Sequence, residues 1–501
     1  MPLKFPEYDQ LDATDLAALV RKGEVSPREL LEAAIERAEV RNPALNAIVY
    51  ELHDRARERV DSLPDGPFRG VPFLPKDLKI TLAGTVTTNS SYLTRNRVFD
   101  VSSENAKRYE AAGLQIFGKT NSPEFGIMGI TEPALRGPCR NPWNTDHSPG
   151  GSSGGASAVV AARIVPVAHG GDGGGSIRIP ASATGLFGLK PTRARTTMAP
   201  HLGESWGGFV SEHVLARSVR DSAAFLDLVD GPFPGDPYYA PPKARPWLEE
   251  VGAPVGKLKI AYTTDTLFAG TTHPDCKAAV EDSVKLLESL GHEVVEGKPE
   301  FPLEELVQAY FITVAAGVAA FVEQTAAWAG KKPSHRDFEP QTWVLAQIGW
   351  KNSAAELVKS QQIIQKASRQ VAAFFEDVDI FVSSTMAVPP VRIGELALSS
   401  SEKLQLSLLR TLNSAPLLDL ALKTLGTNAL ARTPNTQLFN QTGQPGMSVP
   451  LYWNEAGLPI GTQMVGRFGD EATLFRLAAQ LEEARPWANR KGWESAFSEE
   501  N

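Results

Sequence analysis

Cysteine is nearly absent, with only Cys139 and Cys276 in 501 residues. Two thiols cannot build a disulfide framework or a zinc cage, and neither lies in a neighbourhood that marks a nucleophile. Cys276 falls in HPDCKAAVED, which reads as the start of a helix. An excess of positive charge is also missing. Fifty Lys and Arg against 58 Asp and Glu leave a net charge of −8, with no basic run. That argues against a nucleic-acid partner, which is gripped by a basic face. The eight histidines are scattered, none paired with another His or a carboxylate at ligand spacing, so neither a metal nor a cofactor is expected. Long apolar runs are lacking too. FITVAAGVAAFV (311–322) and VVAARIVPVAH (159–169) fall short of the roughly 20 residues a membrane span needs, and Arg163 and Pro166 break the second. The opening MPLKFPEYDQLDATDL has no apolar stretch after a positive start, unlike a secretory signal. The expected setting is the cytoplasm, away from any membrane.

What is present is an ordinary globular composition, 42% apolar and 22% charged, with strands alternating with helices. Residues 1–62 read as helical. In SPRELLEAAIERAEVRNP, Ser26 and Glu29 form a capping box, Pro27 fits the first turn, and Asn42-Pro43 is expected to end the helix. Strands, turns and glycines take over in 64–232. GLQIFGKT (113–120) reads as a buried strand, ASAVVAARI (156–164) as a helix buried all round, and VPVAHG (165–170) as a strand leading into GGDGGGSIRIP. A proline-rich stretch (234–256) precedes a strand–helix–strand unit, then a helical region, within 257–375. Strands and a final helix occupy 377–485. One α/β domain spanning 1–501 is expected, with the late strands joining the same sheet.

Two motifs mislead. GLQIFGKT matches a phosphate loop letter for letter, but its intervening residues are an interior strand rather than a flexible cradle. GGSSG around Ser152 matches a nucleophile elbow, yet RNPWNTDHSP before it is not the hydrophobic strand an elbow requires. The later histidines, His292 and His335, lack a suggestive context. His169, beside the glycines, reads as a packed strand residue. Lys79 reads as a solvated surface charge.

Three segments stand out together: PKDLK with Lys76, PGGSSGGASA with Ser152 and Ser153, and GGDGGGSIRIP with Ser176. With GLKPT (188–192), GKTNSPEFG (118–126), RNPWN (140–144), FNQTGQPGMSVPL (439–451) and LPIGTQMVG (458–466), they resemble the amidase signature family over about residues 10 to 485. TEP (131–133) and VAHG give a texture similar to bacterial amidases of the cyclic-dimer hydrolase type and to urethanases. The resemblance implies an amidase signature fold: a large, twisted mixed β-sheet covered on both sides by α-helices. It implies a Ser–cis-Ser–Lys triad in which Ser176 is the nucleophile, Ser152 the bridging serine after a cis peptide bond, and Lys76 the base.

Elementary chemistry agrees with those roles. A serine must be activated to attack an amide, and no histidine is placed to do it. A lysine serves only when neutral, which burial favours. The glycines leave room for backbone N–H groups of Gly173, Gly174, Gly175 and Ser176 to converge on an oxyanion. Gly173 stands where many family members carry Thr or Ile, which loosens the loop or widens the pocket. Asp172 and Arg178 are placed either to brace the loop as a pair or to cap and face solvent. Met128, Gly129 and Trp206 are candidate pocket walls, and segments 126–133, 200–208, 303–350 and 395–440 are expected around them. The implied activity is hydrolysis of linear or cyclic amides, anilides or carbamates by a monomer or homodimer. One component of a glutamine-dependent amidotransferase, working in a tRNA-linked complex, is the alternative. A binding protein with a dead site is a third.

Overall fold

The computed structural model describes residues 3, 5–268, 270–396 and 432–497. Its centre is an eight-stranded mixed sheet. In chain order the strands are β1 (Val167–Asp172), β2 (Phe187–Lys190), β3 (Ser211–Ala216), β4 (Lys259–Tyr262), β5 (Glu293–Glu296), β6 (Ile380–Ser384), β7 (Gly446–Trp453) and β8 (Pro459–Gly466). They lie in the order β5-β4-β6-β8-β7-β2-β3-β1. The strand–helix–strand unit supplies the parallel edge: β4 pairs parallel with both β5 and β6. The remaining pairings are antiparallel. Every residue of β2, β3, β6 and β8 is buried, polar residues such as Glu212, His213 and Gln463 included. The sheet is therefore one continuous body from residue 167 to residue 466.

Local signals in the sequence have their expected structural counterparts in the helices. Helix α1 (Pro27–Leu45) begins with the Ser26–Glu29 capping box. It does not stop at Asn42-Pro43 but runs on to Leu45. Pro43 sits in the last turn, where few backbone bonds are lost. The Asn42 carboxamide oxygen accepts from the amides of Ala47 and Ile48, and Asn46 closes the end with φ 49°. Helix α2 (Gly154–Ala161) is buried at all eight positions. Its glycines admit neighbouring backbone: a Cβ at Gly155 would lie 2.4 Å from the amide nitrogen of Asn121. The short helix α3 (Arg178–Thr184) follows the glycine loop.

The region 303–375 forms a helical layer of its own. Helix α4 (Leu303–Trp328) packs against α5 (Pro340–Lys351) and α6 (Ala354–Asp377). By length and composition, α4 could cross a membrane. One 18-residue window of it has a mean hydropathy of 1.7, which the shorter run 311–322 did not suggest, and 56% of that window is buried inside the fold. Val314, Val318 and Val322 join a second hydrophobic core with Phe125, Phe209 and Trp343. Helix α7 (Gln437–Thr442) and the amphipathic α8 (Glu471–Ala484) complete the described elements used below.

Candidate active site

Lys76 is carried on a segment inserted between two others. Leu74 bridges to Ala168 of β1, and Lys76 bridges to Thr120. The lysine is 1% exposed. Its Nζ donates to Ser152 Oγ at 2.7 Å and to Ser153 Oγ at 3.0 Å. Burial pulls its pKa down from 10.5 to about 7. Lys79 pushes the same way, while Glu212 and Asp172 oppose. Burial of this kind favours the neutral amine.

Ser152 and Ser153 precede α2, and the peptide bond between Gly151 and Ser152 is cis. Ser153 is at the N-cap of α2 without capping it. Its hydroxyl instead accepts from Lys76 and from the amide of Gly171, at 3.3 Å. Ser176 lies between β1 and α3. It lines one small cavity with Lys76, Ser152, Gly173 and Trp206, under walls of Leu78, Phe125 and Val210. The structure thus brings Lys76, Ser152 and Ser176 to one small space from three separate chain segments.

The glycine loop is braced by a buried ion pair. Both nitrogens on one edge of the Arg178 guanidinium donate to the Asp172 carboxylate at 2.9 Å. The other donors reach Thr436 O, Gln463 Oε1 and Asn440 Oδ1. Asp172 also accepts from the Gly175 amide at 2.7 Å and the Ile177 amide at 3.2 Å. Burial alone would raise its pKa, but the Arg178 charge and hydrogen bonds outweigh that and hold it well below the usual carboxylate range. Asp172 and Arg178 therefore brace the loop.

This brace revises one expectation. The Gly175 amide is taken by Asp172 and does not point at an oxyanion. Its glycine is required for another reason: with φ at 124°, a Cβ would lie 2.4 Å from Thr436 Oγ1. Gly173, Gly174 and Ser176 have no intrachain acceptor for their amides among the described residues. Gly173 leaves room for a different side chain rather than for a wider pocket. A Cβ there would fall 2.9 Å from the Trp206 indole. The missing side chain is replaced by the tryptophan ring.

Of the expected pocket walls, Trp206 lines the cavity and Met128 and Gly129 do not. Both are half-buried, and Gly129 faces Thr433 and Ile179. Most of segment 395–440, residues 397–431, lies outside the described residues. Lys79 is not a surface charge. It lines the cavity, and burial lowers its pKa to about 8. Glu212 and His169 were not singled out as site residues, yet both line the cavity, Glu212 from β3 and His169 from β1. No local signal marks Glu212. It stands in a strand whose burial comes from the whole sheet. Lys119, in the false phosphate loop, is buried and donates to Val86 O and Thr87 Oγ1.

With this geometry in place, the class of the protein can be stated. Residues 29–475 match the amidase family, and the chain belongs to it: it is a hydrolase acting on carbon–nitrogen bonds other than peptide bonds. Among its relatives, the 6-aminohexanoate-cyclic-dimer hydrolase of Pseudomonas sp. (strain NK87) is 36% identical over 490 residues, 96% of each chain. A solved structure of a 6-aminohexanoate cyclic dimer hydrolase has a TM-score of 0.87 at 35% identity, covering 97% of this chain and 99% of the other. A bacterial aryl acylamidase of the amidase signature family has a TM-score of 0.85 at 26% identity, covering 98% and 99%.

Proposed function

We propose that this amidase hydrolyses small, mostly apolar amides through an acyl-enzyme on Ser176. The observation that carries the reading is a fully buried lysine amine 2.7 Å from Ser152 in the cavity that holds Ser176. Ser176 Oγ attacks the substrate carbonyl carbon. Its proton passes to Ser152 Oγ as the Ser152 proton passes to Lys76 Nζ. The amides of Gly173, Gly174 and Ser176 receive the oxyanion. The proton then returns along the same path to the leaving nitrogen, the C–N bond breaks, and an ester on Ser176 remains. Water, activated by the same relay, hydrolyses that ester.

The cavity walls of Leu78, Phe125, Trp206 and Val210 suit an apolar acyl group. The cyclic-dimer hydrolase and aryl acylamidase relatives support cyclic amides and anilides as the first substrates to try. Carbamates fit the same chemistry with a different leaving group. The full-length relatives at about a third identity are hydrolases by name, so the amidotransferase reading is not favoured. The test is mass spectrometry during turnover of an N-acyl-p-nitroanilide. The native protein should gain the acyl mass on the peptide containing Ser176, and Ser176→Ala should show neither adduct nor turnover. An adduct that survives the substitution refutes the assignment.

A further inference from the structure

Two charged residues in the cavity have no step in this scheme. Lys79 holds a left-handed backbone, φ 64°, with its amide donating to Asn89 Oδ1. Its ammonium donates to Ser205 Oγ at 2.6 Å and lies 4.6 Å from the Phe321 ring centroid and 5.5 Å from that of Trp206. Aromatic faces and a hydroxyl hold a cation without cancelling its charge, and among the described residues no carboxylate lies within ion-pair distance of Lys79. Glu212 carries the opposite charge. Its Oε2 accepts from Asn105 Nδ2 at 2.9 Å and lies 3.7 Å from His169 Nε2. On its other side, His169 Nδ1 lies 3.5 Å from the Lys76 amide nitrogen. The His169 ring thus stands between Glu212 and the Lys76 backbone.

We propose that Lys79 and Glu212 are positioning residues of opposite sign that set the pH at which Lys76 becomes a base. Lys79 repels a proton from Lys76, and Glu212 attracts one. The proposal rests on Lys76 being the base. The remaining groups around Lys76 are the neutral hydroxyls of Ser152 and Ser153, the His169 ring, and Asp172, whose charge is met by Arg178. Lys76, Lys79 and Glu212 line one cavity, and charges that share a poorly screened cavity couple more strongly than charges in water. The direction of each influence on Lys76 agrees: Lys79 lowers its pKa and Glu212 raises it. Burial is the largest cause of the shift, and the two charges act on it in opposite directions.

The test is the pH profile of kcat/KM for an uncharged anilide in four proteins: wild type, Lys79→Met, Glu212→Gln and the double variant. The acid limb should move to higher pH in Lys79→Met and to lower pH in Glu212→Gln, by several tenths of a unit to about one unit. The double variant should return toward wild type. A side chain that only supports the fold would not move the two limbs in opposite directions. Lys79→Gln is the second variant if Lys79→Met does not fold. In parallel, NMR of protein labelled with 13Cε-lysine follows Lys76 itself, assigned by the resonance lost in Lys76→Met. A Lys76 titration that stays put in both single variants, or moves the same way in both, overturns the pair. A titration that moves while the activity limb does not overturns the base assignment instead.

Discussion

Two clusters of buried charge lie close together in this fold, and the protein handles them in opposite ways. Around Arg178 every donor has an acceptor: the guanidinium meets Asp172, Asn440, Gln463 and the carbonyl of Thr436. Around Lys76 and Lys79 the partners are serine hydroxyls and aromatic rings, with no carboxylate bonded to either amine. Full pairing drives the Asp172 carboxyl away from neutrality, while incomplete pairing draws both lysines toward it, to about 7 and about 8. Pairing fixes a charge, whereas burial without a counter-charge makes the group exchange its proton easily. The first cluster is suited to holding a loop and the second to chemistry.

The largest expected effect breaks the reactive cluster. Lys76→Met should lower kcat/KM by about 10²–10⁴, the range for loss of a positioned general base. As the proposed base, Lys76 acts only when neutral, so kcat/KM should rise with pH through about 7. A flat profile from pH 5 to 9 is incompatible with the assignment. The same substitution should stabilise the fold. A lysine at about 7 when folded and 10.5 when unfolded costs the native state most below pH 7, where both states are protonated. That cost fades as pH rises toward 10.5. The melting temperature of Lys76→Met should exceed that of wild type most clearly in acid, and a lower melting temperature at pH 6 would contradict the picture.

Breaking the paired cluster should do the reverse. Arg178→Leu leaves the Asp172 carboxylate buried without its counter-charge, and removing one partner of such a pair costs about 3–5 kcal/mol. The midpoint of urea unfolding measures it. Pairing the change with Asp172→Asn should recover part of the loss, because no unpaired charge then remains. If Arg178→Leu alone shifts the midpoint by less than about 1 kcal/mol equivalent, the brace is not what holds the loop.

The contrast also marks what can be read from the chain alone. The glycine loop was legible because its requirements are local, whereas Lys76 has no local signal that sets it apart from a surface charge and was marked only by the resemblance to the amidase signature family. Glycines where backbones meet, a capping box three residues long and serines beside glycines all leave short, dense patterns. Asp172 and Arg178, six residues apart, offered a bracing pair as one of two readings, and the hydrogen bonds between them decide for it. The helix end at Asn42-Pro43 was misplaced because the cap comes from Asn42 reaching forward to Ala47 and Ile48. The environment of Lys79 was hidden. Its turn is read easily as surface, and the rings that bury it, Trp206 and Phe321, are more than a hundred residues away in sequence. The Gly173–Trp206 exchange of volume has the same character: neither residue implies the other until β1 and the 200–208 loop are packed together.

The smallest effect gives the finest test, because it separates two neighbouring serines that both touch the same amine. Ser152 and Ser153 accept from Lys76 Nζ at 2.7 and 3.0 Å, so contact alone does not distinguish them. Their surroundings do. Ser152 lines the cavity with Ser176, whereas Ser153 Oγ also accepts from the Gly171 amide and is fully buried. In the proposed mechanism Ser153 steadies the amine against β1, and Ser152 passes the proton. Ser153→Ala should cost about 1 kcal/mol, the net value of one neutral hydrogen bond, which is a several-fold fall in kcat/KM with an unchanged acyl-enzyme signal. Ser152→Ala should cost far more and reduce the rate of acylation itself. Single-turnover kinetics on the two variants measures both quantities. Equal losses would erase the distinction between relay and support, and a larger loss for Ser153→Ala would invert it.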